Sequence, residues 1–350
     1  MSRKAILTDG LNYLKTFTLL RLINALKIFV SYHVSKRLKK NYHSGYPVAI
    51  SIEPTTSCNL RCPECPSGLR SFSRPIGMLE PELNKSIIDQ LHKELTYITY
   101  YFQGEPYLNK DFLSMVGYAT ERNIYTATSS NGHYFNDKNC QKTVESGLSR
   151  LIISIDGTNQ ESYSKYRIGG DFKKVVEGTK KMVEWKRKLK SKTPFIIWQF
   201  IVFRHNENEV EEIKKMAKEI GVDHLTIKTA QIYNFESGSD LLPQNPKYSR
   251  YIKKGLSYKI KNGLLSHCWR MWHACVVTWD GKIVPCCFDK DGSYQLGGLD
   301  KKLFKSIWDG DEYNRFRRLI FKSRSNIDIC QNCSECTKIR GLISKIIFEV

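Results

Sequence analysis

A chain of 350 residues, 41% hydrophobic and 26% charged, is ordinary for a globular protein and long enough to bury a sizeable core in one large domain or two smaller ones. The net charge of +20 is not ordinary; it predicts an anionic partner such as nucleic acid, a membrane surface, an acidic electron donor or a phosphorylated substrate. No apolar run approaches the roughly 18 residues that span a bilayer. The N-terminal apolar stretch is broken by Arg21 and Lys27 and lacks a small-residue cleavage site, so a signal peptide is not expected. A cytoplasmic location is expected, where thiols stay reduced and clustered cysteines mean metal more often than disulfide.

In chain order, residues 1–45 come first and carry nine Lys/Arg against the single acid Asp9. Leu19, Leu22, Ile23, Leu26, Phe29, Val30 and Val34 recur there at helical spacing. Such a basic amphipathic segment either lies on an anionic membrane surface or packs its stripe on the fold, as core or lid. Packing is the expectation, because stripes of this kind are usually core.

Residues 46–235 alternate strand and helix. Strand-like apolar runs occur at 46–54, 96–102, 124–130, 150–156, 195–203 and 222–229. Helical patterns lie between them, for example 82–95, with Ile87, Ile88, Leu91 and Leu95 on one face, and 207–221, closed by Gly221. Six strands alternating with helices predict parallel βα units. In such barrels the chemistry sits at the C-terminal ends of the strands. A polar connector follows at 236–266. A cysteine-rich region spans 267–337, and an apolar tail, 338–350, ends the chain.

The eleven cysteines fall into two groups. Cys58, Cys62 and Cys65 lie in the loop after the first strand. Seven others lie between 268 and 336, and Cys140 stands alone in a helical stretch as a small core residue. Three thiolates are one short of the four that zinc or an iron–sulfur cluster usually takes. Either a fourth ligand lies elsewhere or one coordination position is left open.

The spacing Cys58-x3-Cys62-x2-Cys65 resembles the signature of the radical S-adenosylmethionine (SAM) superfamily. The resemblance implies a partial (β/α)6 TIM-like barrel. It also implies a [4Fe–4S] cluster whose fourth iron binds SAM and delivers the electron that yields a 5′-deoxyadenosyl radical. Downstream segments at strand ends agree. "QGEP" (103–106) resembles the family's GGEP element, with Gly104, Glu105 and Pro106 matching and Gln103 departing. "TSSNG" (128–132), with Ser130 and Asn131, resembles the region that contacts the cofactor's ribose and methionine. "SIDG" (154–157), with Ser154 and Asp156, ends the fourth strand as in many relatives. Glu64 stands where most relatives carry an aromatic residue.

The second region predicts a β-hairpin on a two-residue turn at Asp280-Gly281, which would set Cys275 opposite Cys286. A helix at 305–321 and "CQNCSEC" follow. The pattern Cys268-x12-Gly281-x4-Cys286 with Cys330-x2-Cys333 resembles the SPASM/twitch extension of radical SAM enzymes. It implies that Cys268, Cys286, Cys330 and Cys333 hold an auxiliary [4Fe–4S] cluster. Cys275, Cys287 and Cys336 remain, so one auxiliary cluster is expected and two are the alternative. A zinc ribbon from the same thiols is the bland reading.

An auxiliary cluster able to take an electron suits net two-electron oxidation. The resemblance therefore implies a radical SAM oxidoreductase acting on a hydroxyl-bearing small molecule or glycan precursor, like 2-deoxy-scyllo-inosamine dehydrogenase. Peptide or protein side-chain modification is the alternative. A basic RNA-binding metalloprotein is a third reading, against which the open-site motif argues, so no nucleic acid is expected. The implied partners are an acidic electron donor such as flavodoxin or ferredoxin, the small-molecule or peptide substrate, and anionic lipid if 1–45 meets a membrane. Arg204, His205, Glu207 and Lys228, at or beyond the ends of the fifth and sixth strands, are candidates for the general base.

Overall fold

The structure, a computed structural model, describes residues 3–261 and 263–333. Cys336 and the 338–350 tail lie outside the described residues. Two helices lead, α1 (Arg3–Leu14) and α2 (Leu19–Leu38). The six apolar runs then form β1 (Ala49–Ile52), β2 (Tyr97–Thr99), β3 (Tyr125–Ser130), β4 (Arg150–Ser154), β5 (Phe195–Val202) and β6 (His224–Thr229). They pair in parallel in that order. Between them run α3 (Pro66–Leu69), α4 (Pro81–Leu91), α5 (Phe112–Glu121), α6 (Asp137–Glu145), α7 (Gln160–Tyr166), α8 (Phe172–Lys188) and α9 (Val210–Ile220). These are the parallel βα units the alternation predicts, in the six-stranded partial barrel the resemblance implies.

Local chemistry sets the helix ends. Asn136 and Asp171 side chains accept from the third backbone N–H of α6 and α8, at 2.9 and 3.0 Å. Gly221 closes α9 at φ +83°. α4 stops at Leu91, short of the expected Leu95, and the Arg21 guanidinium caps the His92 carbonyl that follows it. Cys140 is buried in α6, as expected.

After the barrel comes a hairpin, β7 (Tyr251–Lys254) and β8 (Ser257–Ile260), inside the segment read as a polar connector. Next are α10 (Arg270–His273), β9 (Ala274–Val277), β10 (Lys282–Val284), β11 (Gly297–Gly298), α11 (Phe304–Trp308), α12 (Asp311–Ser323) and α13 (Asp328–Gln331). Gly310 separates α11 from α12, where the sequence predicted one helix. β9 pairs in parallel with the free side of β1, Ala49 opposite Ala274 and Ile52 opposite Val277. One nine-stranded sheet, β11-β10-β9-β1-β2-β3-β4-β5-β6, therefore carries both cysteine regions.

The β9–β10 turn differs from the expected one. Val277 faces Ile283, and Thr278 N–H donates to the Lys282 carbonyl at 2.9 Å. Trp279, Asp280 and Gly281 thus form a three-residue loop, with Gly281 at φ +79°. The register moves by one residue, and Cys275 lies opposite Pro285 instead of Cys286.

The N-terminal helices overturn the expected packing. α2 does pack on the fold, but through Arg21, Asn24, Ile28, Ser31, Tyr32 and Ser35. Leu19, Leu22, Ile23, Leu26, Phe29, Val30 and Val34 are all exposed. Arg21 explains the inversion. Its guanidinium donates to the carbonyls of His92, Arg122, Asn123 and Thr16. His92 and Arg122 end α4 and α5, so the cation meets the negative ends of two helices. Nor do these helices form a lid. Tyr13 of α1 packs edge-on against Tyr97 and Tyr125, and Asp9 binds Tyr125 and Arg150. Those partners open β2, β3 and β4, so α1 and α2 plug the N-terminal end of the barrel, opposite the strand ends where chemistry is expected. No single described helix is long and apolar enough to cross a membrane. Ala5–Leu14 and Leu19–Leu38 pass that test only together, bent by 94°.

Candidate active site

The cysteine loop starts where β1 ends. Glu53, fully buried, binds Arg74 through two hydrogen bonds of 2.6 and 2.7 Å, which anchors the return of the loop. Arg74 also donates to the Lys290 carbonyl at 3.0 Å, and Ser73 N–H to Asp291 at 2.8 Å. The loop is thereby clamped to the segment following β10. Cys65 precedes α3, and its N–H donates to the Cys62 carbonyl at 3.3 Å. Cys62 is buried, while Cys58 and Cys65 are half-buried.

The segments predicted to line the site converge on this loop. Gly104 sits at φ +75°, and a Cβ there would come within 2.2 Å of the Thr55 carbonyl oxygen. Only glycine fits, and its N–H donates to Ser67 Oγ at 2.9 Å. Glu105 N–H donates to the Ser57 carbonyl at 2.8 Å, and Pro106 opens the next turn. The Glu105 carboxyl accepts from Asn131 N–H at 2.7 Å and Ser130 Oγ at 2.9 Å. Asn131 Nδ2 in turn donates to Asn59 at 2.8 Å and lies 3.8 Å from Cys58 Sγ. The Glu105 carboxyl therefore ties the ends of β2 and β3, and the Glu105 N–H and Asn131 Nδ2 tie both to the loop after β1.

β4 contributes Ser154 and Asp156, both buried. Asp156 accepts from Arg167 Nε at 2.6 Å and Ile201 N–H at 2.7 Å. The other arm of Arg167, Nη1, lies 3.9 Å from Cys62 Sγ. Arg167 was not legible in the sequence: nothing in "SYSKYRIGG" marks this arginine as the inward one. Asn59 gave no signal either.

Electrostatics fit a thiolate-bound cationic centre. Burial pushes the Cys58 thiol up to about 11 and raises Cys62, with Arg167 opposing the second shift. Cys58 and Cys62 are thus held neutral until a metal displaces their protons. The donor set, three thiols and no carboxylate or imidazole, is soft, as iron–sulfur chemistry prefers. Burial likewise raises Glu105 to about 7. We expect stability of the SAM-free protein to fall as pH rises from about 4.5 to 7, since the folded state holds the extra proton only below that range's upper end. Glu105→Gln should flatten that part of the profile and weaken SAM binding while cluster absorbance survives. An unchanged profile, or joint loss of cluster and fold, would make Glu105 purely structural.

In the second region, Arg324 Nη2 lies 3.5 Å from Cys333 Sγ, and Nη1 donates to the carbonyls of Leu265 and His267, next to Cys268. Cys333 N–H donates to the Cys330 carbonyl at 3.1 Å. Burial raises Cys286, reinforced by Cys287 and Cys333. Tyr313 is raised by burial and further by Cys275, Cys286 and Cys268. Cys268, Cys275 and Cys286 thus gather around Tyr313, and Cys333 links Cys286 to the Arg324 side, where Cys330 lies. Among the described residues, no three of these side chains are drawn together in a metal-holding arrangement. Cys287, which acts on Cys286, also acts with Cys65 on Lys290: those two most oppose the lowering of Lys290 by burial. Lys290 Nζ lies 4.7 Å over the Tyr233 ring, and Glu64 accepts from Tyr233 N–H at 2.9 Å. Lys290 thus stands between the two cysteine regions. The base candidates Arg204 and Glu207 instead bind the 240–245 segment, through Leu242 and Asn245. His205 stacks on Phe203.

Comparison with known proteins agrees with this geometry. The profile of the radical SAM superfamily matches residues 52–220. That of an iron–sulfur cluster-binding domain, SPASM, matches 268–337. The chain belongs to the radical SAM superfamily and carries a C-terminal SPASM domain; it is an enzyme whose cofactors are SAM, a [4Fe–4S] cluster and auxiliary iron–sulfur binding. It is 24% identical over 330 residues, 84% of this chain and 91% of the relative, to the AdoMet-dependent heme synthase of Methanosarcina barkeri. It is 23% identical over 295 residues, 81% and 92% of the two chains, to the S-adenosyl-L-methionine-dependent 2-deoxy-scyllo-inosamine dehydrogenase of Niallia circulans. Native anSMEcpe with bound AdoMet and Cp18Cys peptide has the same fold, with TM-score 0.58 and 19% identity over 84% of this chain and 92% of that one.

Proposed function

We propose that the enzyme oxidises a hydroxyl-bearing small molecule or glycan precursor by two electrons. The observation that carries this reading is the single sheet that sets the open three-cysteine loop beside a second buried set of thiols, with Lys290 between them. When bound, the two clusters and SAM supply a 5′-deoxyadenosyl radical that takes a hydrogen atom and an acceptor for the second electron.

The chain's residues do the rest. Cys58, Cys62 and Cys65 hold the first centre, and Gly104, Glu105, Pro106, Ser130, Asn131, Ser154 and Asp156 shape the SAM site. Cys268, Cys286, Cys330 and Cys333 hold the auxiliary centre. Lys290, whose ammonium burial keeps below the usual lysine range, takes the hydroxyl proton at Nζ. The basic surface receives an acidic electron donor such as flavodoxin or ferredoxin. Likeness to the dehydrogenase supports the reaction class.

Untargeted metabolite comparison of a deletion strain with its parent should show accumulation of a hydroxylated precursor two hydrogens heavier than the missing product. With that precursor, Lys290→Met should still cleave SAM but release little oxidised product. A peptide or protein with altered mass as the only difference would sink the small-molecule reading in favour of side-chain modification. Full turnover by Lys290→Met would remove Lys290 from the reaction.

A further inference from the structure

The outward face of α2 is apolar where a surface helix is usually polar. Its inward face is already committed: Arg21, Asn24, Ser31 and Ser35 bind backbone groups of the barrel and of the segment after α2. The helix cannot roll its leucines inward without breaking these bonds and leaving Arg21 buried without partners. The exposure is therefore built into the fold. Leu19 is 73% exposed and Leu26 62%. Leu22, Ile23, Phe29 and Val30 extend the patch.

Charge says what covers this face. Between Leu19 and Val34 the only exposed charge is Lys27, whose stem is long enough to reach past an apolar layer. Exposed Lys15 lies before the patch, and exposed Lys36, Arg37, Lys39 and Lys40 follow it. The single acid of residues 1–45, Asp9, is buried and paired with Arg150. Glu94 and Asp309 line the cleft beside Ile23 and Lys27, where Lys305 and His43 respectively face them. Every unpaired charge that the helices themselves place around this apolar strip, about 30 Å long, is a cation, which complements an apolar layer bounded by anions.

We propose that α2 lies in the interface of an anionic bilayer, and that the enzyme works as a peripheral membrane protein. Because α1 and α2 plug the N-terminal end of the barrel, the cysteine loop then faces away from the lipid. Docking leaves the electron donor and the substrate free access to the strand C-termini. This inference stands independently of the proposed oxidation.

The test uses the full chain, because removing 1–45 would unplug the barrel. The protein should co-sediment with vesicles rich in phosphatidylglycerol, bind pure phosphatidylcholine vesicles weakly, and come off in high salt. Leu26→Glu/Phe29→Glu, at exposed positions, should keep the circular dichroism spectrum and lower vesicle partitioning by at least about tenfold. Lys36→Glu/Arg37→Glu/Lys39→Glu/Lys40→Glu should weaken binding to the anionic vesicles alone. Failure of the parent protein to sediment with phosphatidylglycerol vesicles would overturn the proposal. So would binding that Leu26→Glu/Phe29→Glu does not change. A dimer that dissociates on the same substitution without any vesicle binding would assign the face to a second copy. Membrane material released by detergent but not by high salt or alkaline carbonate would mean insertion instead of docking.

Discussion

Replacing Cys58, Cys62 and Cys65 together by alanine should lower bound iron from about eight to about four per chain and abolish reductive SAM cleavage. The fold should survive, because the loop is held by bonds that do not use sulfur. Glu53 grips Arg74, Thr56 N–H donates to the Gly77 carbonyl at 3.1 Å, and Glu105 N–H holds Ser57. The thiols of the second region lie in a separate buried neighbourhood around Arg324 and Tyr313, so their iron should remain. Anaerobic reconstitution followed by iron and zinc analysis decides the point. About four irons with stoichiometric zinc in the parent protein would replace the auxiliary cluster by a zinc site, and about twelve irons would mean two auxiliary clusters. Loss of all iron in the triple variant would show that the two regions are not independent.

The second large effect is expected at Arg167. This side chain and Asp156 form an ion pair of 2.6 Å with side-chain exposures of 13% and 0%. Arg167→Met removes the partner of a buried carboxyl, and breaking such a pair costs about 3–5 kcal/mol. It also removes the cation beside Cys62, the largest influence opposing the burial-driven rise of that thiol. Chemical denaturation should show the stability loss, and cluster loading at neutral pH should fall with it. Arg167→Lys keeps the charge but not the two-armed reach, so it should recover part of the loading and less of the stability. Asp156→Asn/Arg167→Met should be more stable than Arg167→Met, since no buried carboxyl is left alone. A single variant as stable and as readily loaded as the parent would show that Arg167 neither supports the strand-four end nor assists the first centre.

Several features were legible because they are local. The cysteine spacing, "QGEP" and "SNG" record chemistry within a few residues, and the barrel places each at a strand end whatever the distant contacts are. The six strands were legible too, since runs such as "FIIWQFIVF" are apolar on both sides and suit a covered parallel sheet. The β7–β8 hairpin was missed because its strands, "YIKK" and "SYKI", are half polar and show no such run. One residue of register in β9–β10 was missed because Asp-Gly fits both a two-residue turn and a three-residue loop ending in glycine.

Sequence alone determined the class of chemistry, because three soft donors at this spacing leave few alternatives. Periodicity found the buried face of α4, Ile87, Ile88 and Leu91, but tertiary structure alone decided which side of α2 faces inward. Periodicity reports where apolar residues fall around a helix, not what they meet. In α2 the outcome was reversed by Arg21, which looked like an interruption of an apolar stretch. Its guanidinium satisfies carbonyls at the ends of two helices, 71 and 101 residues further along the chain, and the leucines were turned outward as a result. The same holds for Arg167 and Lys290. Each is one of 55 basic residues in a list, and each is singled out only when folding buries it between partners that are distant in sequence.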